Sequence, residues 1–166
     1  MTKLDKALHY AKKQASRCSP YVWSGQGQKV KNMTLLKLAK MENSGANAGR
    51  VMEFIYNNKQ RIDKYSKVFD CSGLIIKALI YAGVLPEGYD DTANGLMHCP
   101  LFTKVKFEDK QPGDLIFKVE DDKAYHVGIV SAPGMVTEAK GRAYGVVDNR
   151  IDSVWSACVR PNYETT

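Results

Sequence analysis

Phe69-Asp70-Cys71-Ser72-Gly73-Leu74 is the stretch from which the rest of the chain is read. Beyond it Leu74, Ile75, Ala78, Leu79 and Ala82 recur with helical period, and Gly83 follows as a C-terminal cap. The spacing therefore predicts a helix from Cys71 to Ala82 with the cysteine in its first turn. A helix N-terminus carries unpaired N–H groups and a partial positive charge, which favour thiolate over thiol. That placement separates Cys71 from Cys18, Cys99 and Cys158, which read as small buried hydrophobes. The four cysteines contain no C-x-x-C pair and no histidine at zinc-ligand spacing, so they form neither a disulfide framework nor a metal site.

Upstream, Leu4, Ala7, Leu8, Ala11 and Ala15 define a first helix over 4–15, with Thr2 and Asp5 placed as a capping box. Ser19-Pro20-Tyr21-Val22-Trp23-Ser24-Gly25-Gln26-Gly27 then breaks the period and reads as a structured loop. Helical patterns return over Met33–Met41 and over residues 46–63, separated by the turn signal Asn43-Ser44-Gly45. After residue 111 the texture becomes short β-rich runs, Leu115–Val119, Tyr125–Val130, Met135–Ala139, Gly145–Val147 and Val154–Val159. Pro112-Gly113-Asp114, Glu120-Asp121-Asp122 and Pro133-Gly134 mark the turns between them. Helices first and an antiparallel sheet second is an α+β arrangement. A chain of 166 residues with no linker or repeat suits one domain over 1–166.

The formal net charge is +6, and residues 1–40 hold Lys3, Lys6, Lys12, Lys13, Arg17, Lys29, Lys31, Lys37 and Lys40 against Asp5 alone. Such an excess suits an anionic partner or a solvated basic face. No zinc finger, RNA-binding aromatic motif or helix-turn-helix signal accompanies it, so no nucleic-acid partner is expected. Met1-Thr2-Lys3-Leu4 leads into a polar amphipathic stretch and no apolar run reaches spanning length, so neither a signal peptide nor membrane insertion is expected. Synthesis in the cytoplasm is the corresponding expectation.

A cysteine nucleophile needs a base. His9 sits on the polar side of the first helix and His98 in the irregular segment Leu96-Met97-His98-Cys99-Pro100, both ordinary structural settings. His126 lies in the alternating run Tyr125-His126-Val127-Gly128-Ile129-Val130; with Val127 and Ile129 on the core, its side is expected to face the helix or cleft. A base also needs a group that fixes its tautomer. If the strands around His126 and Glu138 form a hairpin through Pro133-Gly134, the two side chains could share one face, although a lone strand glutamate more often faces solvent.

Asp70-Cys71-Ser72-Gly73-Leu74, Gln111-Pro112-Gly113-Asp114-Leu115-Ile116-Phe117 and His126-Val127-Gly128-Ile129-Val130, preceded by Pro20-Tyr21-Val22-Trp23-Ser24-Gly25, resemble in order the signature blocks of the NlpC/P60 cell-wall hydrolases. The resemblance implies a papain-like α+β fold, with the cysteine at a helix N-terminus against a sheet that carries the histidine. It implies Cys71, His126 and Glu138 as catalytic residues, and Tyr21, Asp70 and Ser72 as residues lining the substrate cleft. Glu138-Ala139-Lys140-Gly141-Arg142 with Gly145-Val146-Val147 is similar to a subset that includes phage-derived enzymes. Ser24-Gly25 stands where the family commonly has two glycines, and residues 28–66 are longer than the usual interval. That insertion, with Leu35, Leu36, Val51, Phe54 and Ile55 to bury, is expected to pack as extra helices beside the cleft.

The expected activity is cleavage of an amide bond of the peptidoglycan stem peptide by Cys-His-Glu thiol chemistry, with no metal or organic cofactor. The Cys71 N–H, helped by Tyr21, would stabilise the oxyanion, at about 3 kcal/mol per donor. A phage or prophage endolysin, acting on the wall after release, is the expected setting, and the basic N-terminal third would attract anionic wall polymers. The alternatives are an amidase cut at the sugar–peptide junction by the same chemistry and a catalytically silent wall-binding or phage-tail module.

Overall fold

The computed structural model describes residues 1–164. Helix α1 (Lys3–Ser16) begins at Thr2, whose hydroxyl accepts from the Asp5 N–H while the Asp5 carboxylate accepts from the Thr2 N–H, so two N-terminal donors are satisfied reciprocally. Strands β1 (Gln26–Lys29) and β2 (Lys67–Phe69) form a small antiparallel ribbon, and between them lie α2 (Leu35–Glu42) and α3 (Gly45–Asn57). Helix α4 (Cys71–Tyr81) follows β2 directly, then α5 (Ala93–Met97) and the short strand β3 (Thr103–Val105). Strands β4 (Leu115–Glu120), β5 (Lys123–Ala132), β6 (Met135–Gly141), β7 (Gly145–Arg150) and β8 (Trp155–Arg160) complete a six-stranded antiparallel sheet in the order β3-β8-β4-β5-β6-β7.

The main core joins one face of the sheet to α1, α4 and α5, with Ile75, Leu79, Leu115, Phe117, Val127 and Ile129 all fully buried. Each such side chain contributes roughly 1.5–3 kcal/mol on leaving water. Helix α4 also buries Leu74, Ile76 and Ala78, so it is a central helix rather than a surface one. The other sheet face carries a smaller cluster of Ile116, Val130, Val136, Trp155 and Cys158. The block Gln111–Asp114 pins the start of β4: Asp114 accepts from the Gln111 N–H at 2.8 Å and from Arg160 Nε at 2.7 Å, while Gly113 N–H and Val130 O pair across to β5. Gly113 adopts φ +94°, and a Cβ there would meet Leu4 at 2.3 Å, so its side holds only a glycine.

The insertion is helical but packs differently from the expectation. Leu35 and Leu36 are 56% and 69% exposed, because α2 starts one residue after its cap Thr34 and its inward face begins at Leu38. Leu38, Ala48 and Val51 are fully buried with Val22 and Val68, a satellite core separate from the main one. Helix α3 stops at Asn57 rather than running on to 63, since the Asn58 side-chain amide donates to the Phe54 carbonyl at 2.8 Å and competes with the next helical turn. The ribbon β1–β2 and strand β3 were not expected; each has three or four residues, too few to show a period.

Replacement of Leu38 by Ala should cost about 3 kcal/mol in urea unfolding, whereas Leu36→Ala should change stability by less than about 0.5 kcal/mol. Equal costs would contradict the packing of α2.

Candidate active site

Cys71 opens α4 behind the N-cap Asp70, whose carboxylate accepts from the Gly73 N–H at 2.6 Å and from the Ser72 hydroxyl at 3.3 Å. The strand before it is held by a tight crossing. Gly25 O accepts from the Asp70 N–H at 2.9 Å, and a Cβ on Gly25 would lie 2.7 Å from the Phe69 backbone. A Cβ on Gly73 would stand 2.0 Å from Gly25 O. The two glycines let the Tyr21–Gly25 loop lie across the mouth of the helix, and the Val22 N–H bonds to Phe69 O at 3.0 Å.

Pairing between β5 and β6 ends at Ile129–Thr137, although β5 runs back to Lys123 and β6 on to Gly141. Val130 N–H points to β4, where it meets Asp114 O, so the alternating Val127 N–H points towards β6. The Val127 N–H and the Ser72 N–H lie near enough to the Cys71 sulfur to favour its thiolate. The N-terminus of α4 thus lies beside the stretch of β5 that β6 leaves unpaired.

His126, the neighbour of Val127, does not face the helices. Val127 and Ile129 occupy that face, and His126 emerges on the other, its ring 5.3 Å from that of Trp155 at an interplanar angle of 43°. Strict alternation fixes this. Its Nε2 lies 2.9 Å from Glu138 Oε1. Glu138 is 2% exposed, and its carboxylate can only accept, so Nε2 carries the hydrogen and Nδ1 is left with its lone pair. By register Glu138 sits opposite Gly128, and a Cβ at 128 would stand 2.5 Å from Val136 and 3.1 Å from Trp155. The glycine leaves room for Val136 and for the Trp155 ring that lies against the histidine.

Burial, then the charge of Asp70, pushes the Cys71 thiol up to about 11, against the three N–H groups that favour the thiolate. Burial thus opposes the thiolate that the helix N-terminus favours. Ionisation at neutral pH requires a base. Asp70 and Ser72 commit their polar atoms to the cap, and burial raises the Asp70 carboxyl above its usual range. Tyr21 is half-buried; burial and the neighbouring Cys71 and Asp70 raise its hydroxyl, and the Arg142 guanidinium lies 5.5 Å from its ring centre.

Three contributors escaped the sequence reading. Trp155 walls the histidine, and the Val127 N–H lies near enough to the Cys71 sulfur to favour its thiolate. The third is a clamp: Glu42, at the end of α2, accepts from the Trp23 N–H at 2.8 Å and from Arg142 Nε at 2.8 Å. It ties the insertion, the Tyr21–Gly25 loop and the β6–β7 turn into one wall, beside a cavity of about 360 Å³ lined by Trp23, Ser44, Asn47 and Arg142. Among the described residues no group of three or more His, Cys, Asp or Glu side chains could hold a metal ion, and no helix is long and apolar enough to cross a membrane.

In His126→Ala, iodoacetamide labelling of Cys71 should rise about tenfold per pH unit from 7 towards 10, because the thiolate fraction below its pKa does so. A flat profile would rule out a raised thiol. Glu42→Ala should cost about 3 kcal/mol in unfolding, since it strands Arg142 and the Trp23 N–H; a cost below about 1 kcal/mol would show that water already screens the clamp.

Solved structures share this architecture. The P60 domain of antigen MAP1204 from M. avium subspecies paratuberculosis aligns with a TM-score of 0.60 and 20% identity over 98% of each chain. RipD from Mycobacterium tuberculosis, described as a non-catalytic NlpC/p60 domain protein adapted to peptidoglycan binding, aligns at 0.61 and 16% over 96% of this chain and 97% of that one. The peptidoglycan hydrolase RipB of the same organism aligns at 0.60 and 20% over 98% of this chain and 67% of that one. No curated protein sequence matches. The NlpC/P60 family model matches residues 18–160, which takes in the Tyr21–Gly25 loop, Cys71, His126 and Glu138, and the chain therefore belongs to the NlpC/P60 family of peptidoglycan hydrolases and peptidoglycan-binding domains.

Proposed function

We propose that the protein hydrolyses an amide bond of the peptidoglycan stem peptide, with Cys71 as nucleophile, His126 as base and Glu138 as the residue that orients the base. The observation that carries this reading is the largely buried His126–Glu138 pair at 2.9 Å next to Val127, whose N–H lies near the Cys71 sulfur. Family members are in general cysteine peptidases, which supports this chemistry.

His126 Nδ1 takes the thiol proton, and the thiolate attacks the peptide carbonyl carbon. The oxyanion forms at the mouth of α4, where the Cys71 N–H and the Tyr21 hydroxyl are its donors. The C–N bond then breaks, the imidazolium proton passes to the leaving amine, and a thioester remains. Water, deprotonated by His126, releases the acyl group as a carboxylic acid and restores the thiol. Glu138 holds Nε2–H throughout and stabilises the imidazolium. Burial pushes the thiol up, which favours a proton transfer to the base over a free thiolate. Trp23, Tyr21 and the cavity beside Arg142 would then border the peptide, with Asp70 and Ser72 supporting the cap beneath it. The glutamate-bearing block Glu138–Arg142 supports a phage or prophage endolysin that reaches the wall after release.

A second reading is that of a silent peptidoglycan-binding domain, favoured by the neighbour RipD and by the protonated resting thiol. Digestion of purified peptidoglycan by wild type and Cys71→Ala, with mass spectrometry of the fragments, separates the two. New peptide termini should appear with wild type alone; their absence from both would establish the binding reading. Ends at the sugar–peptide junction would identify an amidase. Glu138→Gln should lower kcat about 100-fold with KM nearly unchanged, and unaltered turnover would leave His126 without its partner.

A further inference from the structure

Lys29 and Lys67 are register partners in the β1–β2 ribbon. Like charges directly opposite in a sheet repel. Lys77, the half-buried polar residue of the otherwise apolar stretch Leu74–Leu79, brings its stem to the same place: Gly27 has Lys77 Cγ at 3.8 Å and Lys67 Cδ at 4.0 Å from the position a Cβ would take. Lys13 and Arg17, from the end of α1, stand close enough that, together with burial, Lys29 and Lys77, they lower the Lys67 pKa. The ion pairs among the described residues are His126–Glu138, Arg142–Glu42 and Arg160–Asp114, so none of these five cations is in one. Four elements distant in sequence thus converge on one concentration of positive charge that the fold itself leaves without a counter-charge.

We propose that Lys29, Lys67 and Lys77, rimmed by Lys13 and Arg17, bind a phosphodiester polymer carried by the bacterial wall. This rests on the reading that the protein works at the wall. Cations spread over β1, β2, α4 and α1 suit a chain with a charge on every repeat, which meets several at once, better than a single anion. Nucleic acid also repeats its phosphates but adds bases that need open aromatic faces. Tyr10 is already engaged, edge-on to Phe69 at 6.3 Å, tilted on Tyr81 at 5.3 Å and facing Lys67 at 5.8 Å, while Tyr81 keeps an exposed face, so single-stranded nucleic acid is the competitor that the binding test must separate. Lys67 precedes Cys71 by four residues, so their α-carbons lie at most about 14 Å apart. A polymer held there would keep the cleft against the peptide layer in which it is anchored.

The test reads binding rather than turnover, and so can fail while the hydrolase stands, or succeed if the hydrolase fails. The Cys71→Ala chain is sedimented with purified walls before and after hydrofluoric acid removes their phosphodiester polymers. The triple change Lys29→Gln, Lys67→Gln and Lys77→Gln should weaken binding to untreated walls about tenfold, with a shallower dependence on salt. Lys104→Gln, Lys106→Gln and Lys123→Gln, three exposed lysines away from the site, should weaken it less than about twofold for the same loss of charge. Equal losses in the two triples, or equal binding to treated and untreated walls, would overturn the proposal, as would tighter binding to a single-stranded DNA oligonucleotide than to poly(glycerol phosphate). Arginine at the same three positions must preserve binding; arginine variants as weak as the glutamine ones would show that packing, not charge, is responsible.

Discussion

Two strands that part company create the site. Ladder pairing between β5 and β6 stops at Ile129–Thr137, short of Val127 and His126, although both strands run on. The Val127 N–H lies near the Cys71 sulfur at the start of α4, and across the same unpaired stretch His126 reaches Glu138 at 2.9 Å. The proposed chemistry depends on that early end of the ladder.

The cost of this arrangement is electrostatic. Burial opposes the thiolate that the helix end favours, and burial wins, so reactivity is transferred from the cysteine alone to the cysteine with its base. The resting protein is consequently a poor indiscriminate nucleophile. The Glu42–Arg142 clamp addresses a different cost: an insertion with its own small core needs a fixed attachment if it is to form a wall of the cleft, and a buried ion pair that also takes the Trp23 N–H supplies one.

Much of this was legible in local pattern. The first helix with its Thr2–Asp5 box, the helix from Cys71, and the strands after residue 111 announce themselves by period and turn residues, and the ordered blocks identify the family. The pairing of His126 with Glu138 was legible because a hairpin of known turn fixes which residues can meet. What stayed hidden depends on contacts between distant segments. Glu42 and Arg142 are 100 residues apart and each looks like an ordinary helix or turn residue. The rise of the thiol pKa depends on how much of Cys71 is covered, and spacing does not report coverage. Alternation places His126 opposite the core residues Val127 and Ile129, but it does not say on which side the cleft opens. Leu35 and Leu36 mislead for a related reason: hydrophobicity marks candidates for burial, and the start of α2 at its Thr34 cap sets which residues turn inward.

Gly128 shows how much of the arrangement consists of empty space. Its missing side chain is the space into which Val136 and the Trp155 ring beside His126 pack, and any larger residue would strike both. Grafting the three proposed catalytic side chains onto another antiparallel sheet would therefore fail unless the vacancy travelled with them. For protein engineering, the transferable unit is three functional groups and one hole.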